Sequence, residues 1–133
     1  MATGERTARV LVVDDDIDIR DMICLIVEAQ GYACETAGDG QEAFERLRDG
    51  AAALILLDLM MPRMDGEEFL TRLRRDRALA AIPVVVMSGD GNVASKARAL
   101  GADGYMSKPF DLAALLGVVA RYIELEPAPV VTR

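Results

Sequence analysis

The stretch Val10-Leu-Val-Val-Asp-Asp-Asp16 joins an unbroken apolar run to three aspartates. A short apolar run closed by polar residues is the pattern of a strand buried on both faces of a parallel sheet. Beyond it, Ile19, Met22, Ile23, Ile26 and Val27 fall at i, i+3, i+4, i+7 and i+8. That spacing makes one apolar helix face, and Gly31 stands where a glycine cap ends a helix. Residues 32–36 read as a weak second strand, and Gly38-Asp39-Gly40 as a turn. Ala43, Phe44 and Leu47 mark a short second helix closed by Gly50.

The alternation continues. Residues 54–57 are the most apolar strand, with Asp58 at its end, and a loop carrying Pro62 and Gly66 follows. Phe69, Leu70 and Leu73 define a third helix, and residues 82–87 a β-branched fourth strand. Val93, Ala97 and Leu100 space a fourth helix that stops at Gly101. Residues 104–107 form a short fifth strand, and Leu112, Leu115, Leu116 and Val119 mark a last helix. Five strand–helix units predict an α/β fold, (βα)₅, with a parallel sheet and helices on both faces. Residues 1–8 read as an N-terminal tail, 9–125 as one domain, and 126–133 as a tail or linker stub.

Composition narrows the chemistry. The 133 residues are 52% hydrophobic and 28% charged, which suits one globular domain. The net charge of −7 argues against a basic nucleic-acid face. The chain has no histidine, which excludes histidine metal sites, histidine general bases and Ser-His-Asp triads. Cys24 and Cys34 lack CxxC spacing and read as reduced, apolar thiols of a cytosolic protein. No signal peptide is recognisable at the N-terminus, and no apolar run reaches the ~18–20 residues that span a bilayer.

In an open α/β sheet, ligands sit beyond the carboxyl ends of the strands. Asp14, Asp15 and Asp16 end the first strand, Asp58 the third, Ser88 the fourth and Lys108-Pro109 the fifth. The topology thus gathers carboxylates, a hydroxyl and an ammonium at one edge. Asp14 to Asp16 alone could be helix caps, and Asp16 is read as a cap. With Asp58, Ser88 and Lys108 added, a metal–phosphate site is the better reading. Two like charges ~4 Å apart repel by about 4 kcal/mol at an effective dielectric near 20, and Mg²⁺ offsets that.

These residues resemble the receiver domain of two-component response regulators. The matching stretches are Val10-Leu-Val-Val-Asp-Asp-Asp16, Leu57-Asp-Leu-Met-Met-Pro-Arg-Met-Asp-Gly66, Pro83-Val-Val-Val-Met-Ser-Gly89 and Gly101-Ala-Asp-Gly-Tyr-Met-Ser-Lys-Pro-Phe110. The resemblance covers residues 8 to 123 and implies a flavodoxin-like fold with strand order 2-1-3-4-5. It implies that Asp58 accepts a phosphoryl group from a histidine kinase or histidine phosphotransfer protein. It places Mg²⁺ (or Mn²⁺) on Asp14, Asp15, Asp58 and the backbone carbonyl of Met60. Ser88, Gly89 and Lys108 become phosphate contacts, Ser88 and Tyr105 the switch pair, and Lys108–Pro109 a cis peptide. Met60 and Asp90 would tune the lifetime of the phosphorylated state. The expected output face is helix four, strand five and helix five, which would take an output protein of unstated identity. The chain would act in the cytoplasm as a monomer or weak dimer, with no contact to nucleic acid or membrane, and would catalyse its own phosphorylation and dephosphorylation.

Other readings fit less well. Aspartyl phosphatases often carry Asp-x-Asp, and here the sequence is Asp58-Leu-Met60. A flavin or nucleotide module would want GxGxxG or GxxxxGK[ST], and neither is present. A receiver cut from a longer transcription regulator stays open.

Overall fold

The computed structural model describes residues 8–50, 52–61 and 65–123. The elements alternate in chain order: β1 (Arg9–Val13), α1 (Ile17–Ala29), β2 (Ala33–Ala37), α2 (Gly40–Arg48), β3 (Leu54–Asp58), α3 (Gly66–Arg75), β4 (Val84–Ser88), α4 (Val93–Leu100), β5 (Gly104–Ser107) and α5 (Leu112–Ile123). The strands form one sheet in the order β2-β1-β3-β4-β5, and all pairings are parallel. This is the flavodoxin-like arrangement expected from the sequence.

The three central strands β1, β3 and β4 are almost wholly apolar because both faces of the sheet are covered there. Side chains alternate across a strand, so each strand feeds two cores. Leu11, Val13, Ile55, Leu57, Val84 and Val86 point to one side, where they meet Ala43 and Leu47 of α2, Phe69, Leu70 and Leu73 of α3, and Val93 and Ala97 of α4. Val10, Val12, Leu54, Leu56, Val85 and Met87 point to the other, against Ile23 and Val27 of α1 and Leu115, Val119 and Ile123 of α5. The helix spacings read from the sequence mark the faces that pack, except that Met22 of α1 and Leu112 of α5 are exposed.

Capping sets the helix starts. Asp16, Asp39 and Asp65 each accept backbone N–H groups at the first turns of α1, α2 and α3. Gly101 ends α4 with φ 76°, the left-handed conformation that glycine adopts at no steric cost. The fourth strand begins at Val84, two residues later than the apolar run suggests. Pro83 has no N–H, and the Ile82 N–H is spent on the Leu79 carbonyl in the preceding turn. Pairing at the other end of the sheet starts early: Ala8, expected in the tail, accepts the Ala33 N–H at 2.9 Å. The rest of the expected tails, and Pro62 of the β3–α3 loop, lie outside the described residues.

One sequence expectation is overturned. Cys24 and Cys34 are not separate thiols but a disulfide joining α1 to β2, with Cα atoms 5.5 Å apart. Spacing along the chain carried no sign of this, because the pair is created by the fold back from helix to strand.

Candidate functional site

The carboxyl ends of β1, β3, β4 and β5 assemble the site. Asp14 directly follows β1 and is fully buried. Its N–H donates to the Ala37 carbonyl at 3.0 Å, which continues the sheet by one residue. One carboxylate oxygen accepts the Asp16 N–H at 2.9 Å. The other takes the Lys108 ammonium at 2.7 Å. Asp15 is exposed. Asp16 turns away to cap α1, accepting from the Asp18 and Ile19 amides.

Asp58 ends β3 and is 4% exposed. Its Oδ1 accepts the Met60 N–H at 3.1 Å. Its Oδ2 lies 3.6 Å from the Lys108 ammonium. Carboxylate oxygens of Asp14, Asp15 and Asp58 lie within 4.8 Å of one another. Gly66, at the start of α3, is required by this packing. A Cβ there would come within 2.7 Å of both the Asp58 carbonyl oxygen and the Leu59 Cα.

Burial sets the electrostatics. Asp58 is pushed up from 3.8 to about 6, chiefly because burial disfavours its charge. The Met60 N–H and the Lys108 charge oppose the rise, and the Asp14 and Asp15 charges add to it. Burial alone would lower Lys108, but the hydrogen bond and charge of Asp14, with Asp58 behind them, leave its ammonium above the usual lysine value. Near neutral pH three carboxylates therefore face one ammonium. The unbalanced charge and the all-oxygen donor set fit a hard divalent cation.

Lys108 owes its position to the backbone on either side. Its N–H donates to the Ser88 carbonyl at 2.8 Å, and the Lys108–Pro109 bond is cis. Ser88, at the end of β4, is 1% exposed, and its hydroxyl accepts the Asp90 N–H at 3.0 Å. Met60 and Gly89 are exposed beside the site. Tyr105 sits on β5 opposite Val86 and is 51% exposed, directed outward.

Two contacts were not legible in the sequence. Arg20 of α1 donates to the Asp14 carbonyl at 3.0 Å and so braces the acidic loop from outside. Lys96 of α4 pairs with Asp90 at 2.6 Å, which links the β4–α4 loop to the helix behind it. Both pairs are six residues apart, a spacing that no helical or strand periodicity marks.

Known proteins share this arrangement. The family model described as the response regulator receiver domain matches residues 10–120. The phosphate regulon transcriptional regulatory protein PhoB of Pseudomonas aeruginosa is 39% identical over 117 residues, covering 84% of this chain and 51% of that protein. The gliding motility regulatory protein of Myxococcus xanthus is 38% identical over 109 residues, covering 80% of this chain but 14% of its own length. The chain thus spans about half the length of PhoB. Among solved structures, the chemotaxis response regulator CheY4 of Vibrio cholerae superimposes with a TM-score of 0.81 at 34% identity, over 88% of this chain and 99% of that one. The receiver domain of NtrX from Brucella abortus gives 0.79 at 35% identity, over 86% and 98%. With its sheet order, its acidic edge and a family match across nearly every described element, this chain belongs to the response regulator receiver domains of two-component signalling.

Proposed function

We propose that Asp58 accepts a phosphoryl group from a histidine kinase or histidine phosphotransfer protein, with Mg²⁺ (or Mn²⁺) held by Asp14, Asp15, Asp58 and the Met60 carbonyl. One observation carries the reading: the buried Asp58 carboxylate shares its space with two other carboxylates and with the Lys108 ammonium. Phosphoryl transfer asks a protein mainly for positioning and charge neutralisation. The bound cation would neutralise charge on the transferring oxygens. Asp58 is the nucleophile, and its Oδ1 is oriented by the Met60 N–H. Lys108 lies near enough to Asp58 to shift from carboxylate to phosphoryl oxygen. The Ser88 hydroxyl and the Gly89 N–H supply further donors, so the chain catalyses its own phosphorylation and dephosphorylation.

The response then spreads along β4 and β5. Moving the Ser88 hydroxyl toward the phosphoryl group releases its contact with the Asp90 amide, which disturbs the loop that Lys96 ties to α4. Tyr105 turns inward into the vacated space, and the α4–β5–α5 face changes for an output protein. A cleft of about 380 Å³ beside Tyr105, lined also by Met106, Pro109, Phe110, Ala114 and Val118, supports that choice of face. The switch would act in the cytoplasm as a monomer or weak dimer, without touching nucleic acid itself. No helix among the described residues is long and apolar enough to cross a membrane. The extra length of PhoB supports a second reading, in which this receiver serves an output domain of a longer regulator.

The test is intact-mass spectrometry after incubation with a small phosphodonor. The expected result is a gain of one phosphoryl group with Mg²⁺ and none with chelator. No gain in either condition overturns the reading. A companion measurement isolates the metal. A cation that binds only the folded site stabilises it by about 2.7 kcal/mol at a hundredfold excess over its dissociation constant, so millimolar Mg²⁺ should raise Tm by several degrees. Asp15→Asn should lose most of that rise. An unmoved melting curve in the unsubstituted chain rejects the cation site.

A further inference from the structure

We propose that Cys24 and Cys34 form a reversible dithiol–disulfide site, oxidised by small-molecule disulfides and reduced by thiols, that staples α1 to the edge strand β2. The inference does not depend on the phosphoryl reading. Three observations carry it.

The first is placement. Cys24 lies six residues before the α1 cap at Gln30, about 9 Å along a helix rising 1.5 Å per residue. Cys34 lies three residues beyond the turn at Gly31, about 10 Å along an extended chain. The chain reverses at Gly31, with the Gly31 N–H on the Glu28 carbonyl and the Tyr32 N–H on the Val27 carbonyl. The two arms therefore bring the cysteines level, with Cα atoms 5.5 Å apart, inside the range a disulfide spans.

The second is access. Neither cysteine belongs to the fully buried set; both are half-buried, and Cys34 packs at the rim of the core shared by α1 and α5. β2 lies at the edge of the sheet, with a strand neighbour on one side only. A thiolate can be reached there.

The third is that the fold does not need a permanent staple. Small domains depend on disulfides when they cannot build a core, and here both faces of the sheet are covered. Reduced, the two thiols remain small, half-buried apolar groups. The bond therefore toggles a local constraint without deciding whether the domain folds.

The chemistry balances. One cysteine thiolate attacks a sulfur of the small disulfide, forming a mixed disulfide and expelling one thiolate. The other cysteine then attacks the protein sulfur, closing the bond and expelling the second thiolate. The two protein thiols lose two electrons and two protons, and the small disulfide becomes two thiols.

The experiment uses the full chain in buffers of varied oxidised-to-reduced glutathione ratio. Samples are trapped with N-ethylmaleimide and weighed intact. Two adducts are expected in reduced glutathione and none in the oxidised buffer, with the protein monomeric in both. The oxidised form should melt about 5–10 °C higher, the entropy effect of closing so short a loop. Amide exchange over residues 25–33 should slow on oxidation. Cys24→Ser and Cys34→Ser should each take one adduct in reduced glutathione, hold an unresolved glutathione mixed disulfide in the oxidised buffer, and lack the rise in Tm. The unsubstituted chain compared in its two redox states gives the same answer even if a serine variant folds poorly. In the unsubstituted chain, two adducts at every ratio, a stable glutathione adduct, disulfide-linked dimers, or equal melting of the two states would each overturn the proposal.

Discussion

Asp58→Asn is expected to abolish phosphoryl uptake and, in metal-free buffer near pH 7.5, to make the protein more stable. The loss follows from chemistry. The asparagine amide keeps the shape and can still accept the Met60 N–H, but it has no anionic oxygen to attack phosphorus. Uptake should fall by at least about 10³-fold, since positioning alone cannot replace the nucleophile. The gain follows from burial. The folded-state value of about 6 stands roughly two units above the ordinary 3.8, because the ionised carboxylate is disfavoured inside. Two units correspond to about 3 kcal/mol of cost once the group is fully ionised in both states.

The sign in pH follows. Between about 4 and 6 the folded protein holds a proton that the unfolded chain has released. Stability contributed by Asp58 therefore falls as pH rises through that window, then levels off. The asparagine variant should lack this slope and melt higher than the unsubstituted chain in chelator at pH 7.5. In millimolar Mg²⁺ the order should narrow or reverse, because the variant has lost a cation ligand. Paired melting curves at pH 5 and pH 7.5, with and without Mg²⁺, measure all four corners. A variant that melts lower in chelator at pH 7.5, or that still gains a phosphoryl group, rejects the assignment of the charge to Asp58.

The fold was legible because its signals are local. The run at 10–13, the helix face from Ile19 to Val27 and the glycines at 31 and 101 each act within a few residues of themselves. The same holds for the acidic edge, since a parallel sheet places every strand's carboxyl end on one side; Asp58 and Ser88 end their strands, and Asp14 and Lys108 directly follow theirs. What the sequence hid depends on tertiary approach. Arg20 reaches the Asp14 carbonyl only because α1 folds back over β1. Cys24 and Cys34 meet only because helix and strand lengths match across a turn. The direct Lys108–Asp14 pair is of the same kind: the sequence placed the lysine at the correct edge, but two residues 94 positions apart gave no sign that their side chains touch.

That pair makes Lys108→Ala the most disruptive single change expected at the site. Lys108 is the cation that faces both buried carboxylates, 2.7 Å from Asp14 and 3.6 Å from Asp58. Removing one partner of a buried ion pair costs about 3–5 kcal/mol, because the remaining charge is left uncompensated. The lysine's raised folded value means its contribution is complete below the ordinary 10.5 and is lost only at more alkaline pH, so at pH 7.5 the whole of it is at stake. Alanine should therefore lower stability by about 3 kcal/mol in chelator, the lower end of that range, because the lysine side chain keeps 19% of its exposure. The loss should shrink at pH 5, where Asp58 takes up a proton, and shrink again in Mg²⁺, which supplies the missing positive charge. Phosphoryl uptake should slow by about 10²-fold even with saturating Mg²⁺, the usual cost of deleting one charge-stabilising donor. Denaturant melts across pH and Mg²⁺ separate charge from packing. A loss that stays constant across all those conditions would mean that the lysine stem, and not its ammonium, is what the site requires.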